Sequence, residues 1–334
     1  MGGTGGVEFG QEFTESLACP CCGASLDVRD AHLACSAGGC AASFPVIRGI
    51  PVLIDDRCSV FCVDDLVREQ ETFFAISSRS RLADLVTRLV PKRDKNLKAK
   101  GNYERLAKEL LGEGAGAAAG MPERRPRVLV LGGSILGAGI DEFVARPDID
   151  VLETDASFGP RTQLICDAHS IPFTDGSLDG VVVQAVLEHV VDPARCVSEI
   201  HRVLRPGGVV YSETPFMQQV HGGRYDFTRY THLGHRRLFR DFDELASGAI
   251  EGPGMALAWS WEYFLVSLAP GGAGRRLAQV LARFTAWPLK YVDHLIIDRP
   301  QALDAAAGVY FMGRKSGRTL GDEELVCQYR GAIR

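Results

Sequence analysis

The sequence has no surplus of positive charge: 37 Lys+Arg stand against 42 Asp+Glu, a formal net charge of −5. That balance excludes a chain whose main work is gripping phosphate backbones. No apolar run reaches the roughly 18 residues a membrane span needs, because Glu262, Pro270 and Pro288 interrupt the two longest. The opening MGGTGGVEFGQEF lacks a basic segment followed by an apolar stretch, so no secretory signal is read there and a cytoplasmic location is expected. No internal repeat is visible. Core-forming residues, in contrast, are plentiful: 46% of the chain is hydrophobic and 16 residues are Phe, which excludes a mainly disordered protein. At about 150 residues per domain the length suggests two domains.

A chain with ten cysteines and no secretory signal is not expected to carry a disulfide framework. Five of the ten (Cys19, Cys21, Cys22, Cys35 and Cys40) fall within 22 residues, and the rest are scattered. Cys19-x2-Cys22 and Cys35-x4-Cys40 are two short thiolate loops twelve residues apart, the donor set of a tetrahedral zinc ion. Four thiolates leave no position for water, so the zinc would be structural. Cys21 is an extra thiol, and Cys58-x3-Cys62 has no second pair after it. A hairpin that has lost its metal is the plain alternative. The flanking LACPCCGASL and LACSAGGCAASFPVIRGIPVLI resemble, over residues 15–56, the zinc ribbons of the small activator subunit that partners tRNA and protein methyltransferases. That resemblance implies a strand pair in FPVIRGIPVLI.

Composition divides the chain into a flexible Gly-rich start (1–14), the ribbon (15–56), a charged helical segment ending in the linker GEGAGAAAG (57–126), a main domain (127–316) and a tail (317–334). The helical segment contains SRLADLVTRLV and NYERLAKELL, with Leu and Val at helical spacing. In the main domain RVLVLGG (127–133), DVLETD (150–155), GVVVQAV (180–186), GGVVYSETPF (207–216) and AAGVYFMGRK (306–315) read as strands. DPARCVSEIHRVL reads as a helix stopped at Pro206-Gly207-Gly208. Strands alternating with helices predict an α/β fold, a parallel sheet covered on both faces.

The first of these strands ends in Gly132, Gly133, Ser134 and Gly137, a turn that lets backbone approach a ligand, with the next helix expected near Ala138. Asp155, 22 residues after Gly133, stands where a carboxylate accepts both ribose hydroxyls of a nicotinamide or adenosylmethionine cofactor. The stretch CDAHSIPFTDGSLDGVVVQAVLEHVVDPARCVSEIHRVLRPGGVVYSETPF decides between the two, because it resembles class I S-adenosylmethionine-dependent methyltransferases, and the likeness covers about 127–316. It implies a Rossmann-like class I methyltransferase sheet with helices on both faces and an S-adenosyl-L-methionine site. Asp167 and Ala168 then meet the adenine, and Gln184 lies in the segment lining the methyl side. Two positions depart from the family: Val130 stands where an acid is usual near the cofactor's amino acid end, and Ser134 replaces a Gly.

Motifs at the acceptor side mainly exclude. Gln184-Ala185 replaces the Asn/Asp-Pro-Pro-aromatic turn that holds an exocyclic amine, and no Pro-Cys turn offers a thiolate nucleophile. The segment TPFMQQVHGGRYDFTRYTHLGHRRLF resembles the H-G-x-x-Y-D-F-x-R-Y-T segment of bacterial methyltransferases associated with small-molecule and glycan pathways. His221 or Asp226 could serve as general base for a hydroxyl acceptor, and Arg224 or Arg229 could hold an acidic one. The alternative is that Tyr225, Asp226, Arg229 and Tyr230 only lock the loop, and His189 in LEHV reads as a packing residue. Residues 255–269 and 276–297, inside an insertion at 252–300, are apolar enough for a lid over a lipid-linked acceptor or for ordinary helix packing. The expected function is methylation, at oxygen, of a small molecule or a glycan or lipid-linked acceptor. Peripheral membrane contact fits that reading, and nucleic acid does not. A ribosomal RNA guanine methyltransferase is the alternative enzyme, with Arg79, Arg81, Arg88, Lys92, Arg93, Lys95, Lys98 and Lys100 as its basic face. A non-catalytic docking scaffold is the alternative of another class.

Overall fold

The computed structural model of the chain describes residues 11–29, 31–67, 95–113 and 124–332. The SRLADLVTRLV stretch, residues 114–120 of the linker, and Arg79, Arg81, Arg88, Lys92 and Arg93 lie outside them.

Strands β1 (Leu26–Arg29), β2 (His32–Cys35), β3 (Ser43–Ile47), β4 (Ile50–Leu53), β5 (Arg127–Leu131), β6 (Asp150–Asp155), β7 (Leu164–Cys166), β8 (Leu178–Gln184), β9 (Leu204–Pro215), β10 (Phe242–Glu251) and β11 (Gly308–Lys315) form one sheet. Its order is β1-β2-β3-β4-β7-β6-β5-β8-β9-β11-β10. From β4 to β9 the neighbours are parallel, and β11 runs antiparallel to both β9 and β10. The side-chain alternation of a strand distributes β5 over two cores. Leu129 and Leu131 join Val181, Val183 and helix α2 (Pro193–Val203) on one face. Val128 and Val130 join Val182 and helix α1 (Ala99–Leu110) on the other. Burial on both faces is why β5 and β8 read as continuous apolar runs. The architecture is the expected class I methyltransferase sheet with helices on both faces.

Several expected boundaries move. Helix α2 starts as expected, with Pro193 at its first turn and Asp192 Oδ1 accepting from Arg195 N at 3.1 Å. It ends at Val203, however, and Pro206-Gly207-Gly208 lie inside β9 instead of closing the helix. The helix expected near Ala138 is a single turn, Asp141–Val144. Strands β7 and β10 have no counterpart in the sequence reading.

The ribbon is continuous with this sheet. Its FPVIRGIPVLI tail folds as the expected pair, β3 and β4, joined at Arg48 and Gly49, both with positive φ, as a two-residue hairpin requires. β4 then pairs in parallel with β7, Val52 opposite Ile165 and Leu53 opposite Cys166. Leu17 bridges Phe173, and Ser170 Oγ donates to the Pro20 carbonyl at 2.8 Å.

The insertion between β10 and β11 holds helices α3 (Pro253–Leu268), α4 (Gly271–Ala286) and α5 (Leu289–Ile296). Asp293 of α5 caps the start of α3, accepting from Gly254 N at 2.8 Å and Met255 N at 2.9 Å. Phe264, Leu268, Leu277, Leu281, Phe284 and Leu295 remain exposed on this layer. Among the described residues no helix is long and apolar enough to cross a membrane.

Candidate functional site

The carboxyl ends of β5 to β9 open onto two adjoining cavities of about 360 and 230 Å³, which share Leu131, Gly132, Ile135 and Ala185. This is the ligand-binding edge of a parallel sheet. The turn after β5 makes the shared wall. Gly132 has φ +72°, and a Cβ there would lie 2.4 Å from Val186 Cγ2. A Cβ on Gly137 would lie 2.0 Å from Gln184 Oε1. Only hydrogen fits at Gly132, a side chain at Gly137 would have to displace the Gln184 amide, and backbone faces the cavity at both. Ala185 takes φ +54° as β8 ends, a left-handed conformation costly for any side chain and typical of built sites.

All eight residues expected at the cofactor line these cavities: Gly132, Gly133, Gly137 and Gln184 the larger, and Ser134, Asp155, Asp167 and Ala168 the smaller. Asp155 ends β6 with Oδ2 accepting from Ser134 N at 3.3 Å and Oδ1 from Ser157 N at 3.1 Å. Glu153, two residues earlier on the same strand, is bound by Arg161 (Nε to Oε1 2.7 Å). Asp167 accepts from His169 N at 2.9 Å, faces His169 Nδ1 at 2.6 Å and receives the Ser59 hydroxyl. Burial opposes its ionisation, yet these hydrogen bonds hold its carboxyl below the usual range.

Two groups in the larger cavity escaped the sequence reading. Glu213 on β9 is buried and accepts from Gln184 Nε2 and Asn96 Nδ2, both at 2.8 Å, and from the Tyr211 hydroxyl. Burial pushes its carboxyl up to about 7, against the pull of those hydrogen bonds. Asn96 precedes α1, in the segment that composition had separated from the main domain. Nothing in sequence links residues 117 positions apart.

His221 also lines the larger cavity, beside Glu188. Its Nδ1 faces the Gln219 carbonyl at 3.3 Å and Asp226 Oδ2 at 3.7 Å. Asp226 is spent on the loop: it accepts from His221 N at 2.8 Å, Gly222 N at 2.9 Å and the Arg229 guanidinium. Burial works against its charge, but Arg229 and those amides keep its carboxyl well below the usual range. Arg229 also donates to the carbonyls of Gln218 and Gln219. Arg224 lies over the Tyr225 ring, and Tyr225 stacks on Phe61 with centroids 6.0 Å apart. Glu188 is wholly buried, neither carboxylate oxygen has a hydrogen-bond partner among the described residues, and burial pushes its carboxyl up to about 8. Helix α3 lies against this loop, with Tyr263 Oη donating to the Val220 carbonyl at 2.5 Å and Gln219 Nε2 to Ser260 Oγ at 3.0 Å.

In the ribbon the thiols of Cys19, Cys22, Cys35 and Cys40 lie within 4.8 Å of one another, with Cys22 and Cys35 at 3.4 Å and Cys19 and Cys40 at 4.0 Å. Sulfurs on one tetrahedral zinc stand about 3.8 Å apart, so the four residues fit that ion. Cys21 is not in the cluster and packs on the main core. Of the basic residues considered for RNA, Lys98 pairs with Asp298 and Lys100 with Glu142.

The family described as "Methyltransferase domain" matches residues 146–212, from β6 into β9. An uncharacterized methyltransferase of Mycobacterium tuberculosis is 38% identical over 96 residues, which are 26% of this chain and 39% of that protein. A 37.1 kDa protein of a Streptomyces fradiae transposon is 52% identical over 42 residues, 13% of this chain and 12% of its own length. The chain thus spans well under half of these curated relatives. Among solved structures, a Haloferax volcanii complex of the Trm112 methyltransferase activator with a methyltransferase shows 19% identity and a TM-score of 0.38, covering 67% of this chain and 95% of that one. A Haemonchus contortus phosphoethanolamine N-methyltransferase shows 17% identity and a TM-score of 0.39, covering 66% and 55%. Residues 146–212 thus match a methyltransferase domain, and the strand order and glycine turn around them are those of the class I methyltransferase fold.

Proposed function

We propose that the protein methylates, at oxygen, a small molecule or a glycan or lipid-linked acceptor, with S-adenosyl-L-methionine as donor and one structural zinc in the ribbon. The observation that carries this reading is the pair of joined cavities along the strand ends, with the glycine turn between an acid-bearing half and a His221-bearing half. When bound, S-adenosylmethionine supplies a methyl group on a sulfonium, which leaves as a neutral thioether without acid assistance. The residues therefore bind and align, and alignment at close approach supplies most of the rate.

In this reading Asp155 accepts the ribose hydroxyls. Asp167 and the backbone of Ala168 receive the adenine, against Val60 and Phe61. The turn Gly132–Gly137 and Gln184 hold the amino acid end. There Glu213, with Asn96 beside it, supplies the carboxylate that Val130 does not. The acceptor enters on the side of His221, beneath the exposed apolar layer of α3 to α5, which suits a hydrophobic or lipid-linked molecule. Asp226, already bound by Arg229 and two amides, positions His221 and leaves handling of the acceptor's proton to the histidine side. The paired state of Lys98 and Lys100 speaks against the RNA alternative.

Calorimetry with S-adenosylmethionine tests the donor site, and transfer of labelled methyl groups into a fractionated metabolite and lipid extract tests the acceptor class. Saturable binding with label in an alkali-stable ether is expected. Failure to bind the donor at millimolar concentration would favour the docking scaffold, and label confined to RNA would favour the alternative enzyme.

A further inference from the structure

We propose that Glu188, His189 and His221 form a binding site for one divalent transition-metal ion at the acceptor end of the cavity, separate from the ribbon's zinc site. The three side chains offer donor atoms within 4.8 Å of one another. His189 Nε2 lies 3.7 Å and His221 Nε2 3.8 Å from the same oxygen, Glu188 Oε1. Two bonds of ~2.1 Å at a tetrahedral angle separate their donors by ~3.4 Å, so each histidine stands within a few tenths of an ångström of that spacing from Glu188, and the third pair lies within 4.8 Å.

Glu188 is the residue that both histidines face. A wholly buried carboxylate without a hydrogen bond is expensive, and proteins keep such groups where a cation or a reacting molecule meets them. The backbone holds it there: the Glu188 carbonyl accepts from Phe227 N at 2.8 Å and Thr228 N at 3.3 Å. The two imidazoles are oriented in the manner of metal-bound histidines, by acceptors at the nitrogen remote from the ion. His189 Nδ1 faces the Tyr225 carbonyl at 2.7 Å, which fixes its proton there and turns Nε2 toward Glu188. The Gln219 carbonyl and the Asp226 carboxylate stand on the Nδ1 side of His221. Arg229, whose Nη2 also lies 3.4 Å from that nitrogen, has its charge balanced by Asp226. Glu213 and Glu251 add carboxylates to the walls of the same cavity, and among the described residues no Lys or Arg lines it.

Two imidazoles and one carboxylate suit manganese, iron, cobalt, nickel or zinc rather than calcium. Three protein ligands leave further positions open toward the cavity of about 360 Å³ that Glu188 and His221 line. A hydroxyl acceptor bound there would lose its proton to solvent more readily, since a bound divalent ion lowers the pKa of a coordinated oxygen. That use of the ion rests on the methyl-transfer reading; the binding of the ion does not.

The test titrates Mn²⁺ into full-length protein carrying its ribbon zinc, because four thiolates retain zinc against manganese. Free Mn²⁺ is followed by electron paramagnetic resonance and zinc release by a chromogenic chelator. About one Mn²⁺ per chain is expected without zinc release. His221→Gln and Glu188→Gln should each weaken its binding tenfold or more, and Asp226→Asn by about tenfold, the usual scale for a group behind a ligand. His221 is partly exposed, so its variant decides if Glu188→Gln does not fold. Stoichiometric binding that His221→Gln leaves unchanged, or no binding at millimolar Mn²⁺, would overturn the proposal. Donor binding measured by calorimetry on the same samples keeps the two readings apart: donor bound without manganese removes the metal site alone, and manganese bound without donor removes the methyl-transfer reading alone.

Discussion

Asp155 and Gly132 show how far single residues were legible. An acid closing the second strand and a glycine closing the first are local patterns, because ligand contact at a strand end depends on residues adjacent in sequence. Asp155 keeps its carboxylate at the cavity while its strand neighbour Glu153 is paired with Arg161. Asp155→Ala should therefore weaken S-adenosylmethionine binding by about 1.5–3 kcal/mol, the worth of a charge-assisted hydrogen bond, with little change in thermal stability. Asp167→Ala should cost less affinity, and calorimetry reads both. Gly132→Ala meets Val186 and takes a side chain into φ +72°, so it should lower stability by about 1–2 kcal/mol and also weaken the donor. An unchanged melting temperature would mean the turn can relax. Glu188 was visible only as part of LEHV, a stretch that fits packing equally well. Its buried, unbonded state depends on His221 and on the loop behind it, which only the folded chain brings there.

At the scale of elements, the strands that were legible are long ones buried on both faces; β7 is just as buried but, at three residues, too short to show a pattern. β6 matches its expected limits, and β5 and β8 move by two residues at most. β10 was missed because FDELASGAIE is half-buried and mixes acids and small residues at no fixed period. Pro206-Gly207-Gly208 misled for a different reason: a helix-ending signal marks where helix must stop and carries no information on the next element, and here β9 begins at Leu204. The ribbon was legible because cysteine spacing encodes a metal site more strongly than propensity encodes a strand. Cys19→Ser should lower zinc content below one equivalent and lower the melting temperature, since structural zinc contributes directly to folding. Cys21→Ser should leave the zinc in place, as its thiol lies outside the cluster. Equal zinc loss in both variants would assign the ligands differently.

On the scale of the whole molecule, what composition divided into two units forms one sheet, and a linker-like composition is silent about pairing across it. β4 extends the parallel sheet at β7, and the chain after it, from Asp55 onward, reaches the smaller cavity at Val60 and Phe61. The Asp55 carboxylate, bound by Arg57, ties the turn together. Ser59 then donates to Asp167, Val60 and Phe61 line the cavity, and Phe61 stacks on Tyr225 of the loop that carries His221. The turn that follows the ribbon therefore supplies one wall of the adenine end of the proposed donor site. Stripping zinc should loosen β4 and this turn together, and S-adenosylmethionine affinity should fall by about tenfold or more, the loss of one hydrogen bond to a charged group plus the apolar wall. Ser59→Ala separates the two effects, since it removes the hydrogen bond while leaving zinc bound, and should give a smaller loss. The measurement is donor titration of zinc-loaded, zinc-stripped and Ser59→Ala protein, with circular dichroism confirming that the main sheet persists. Donor affinity unchanged in folded, zinc-stripped protein would mean that the turn over the adenine end is held by the main domain alone and that the ribbon's zinc serves only its own hairpin.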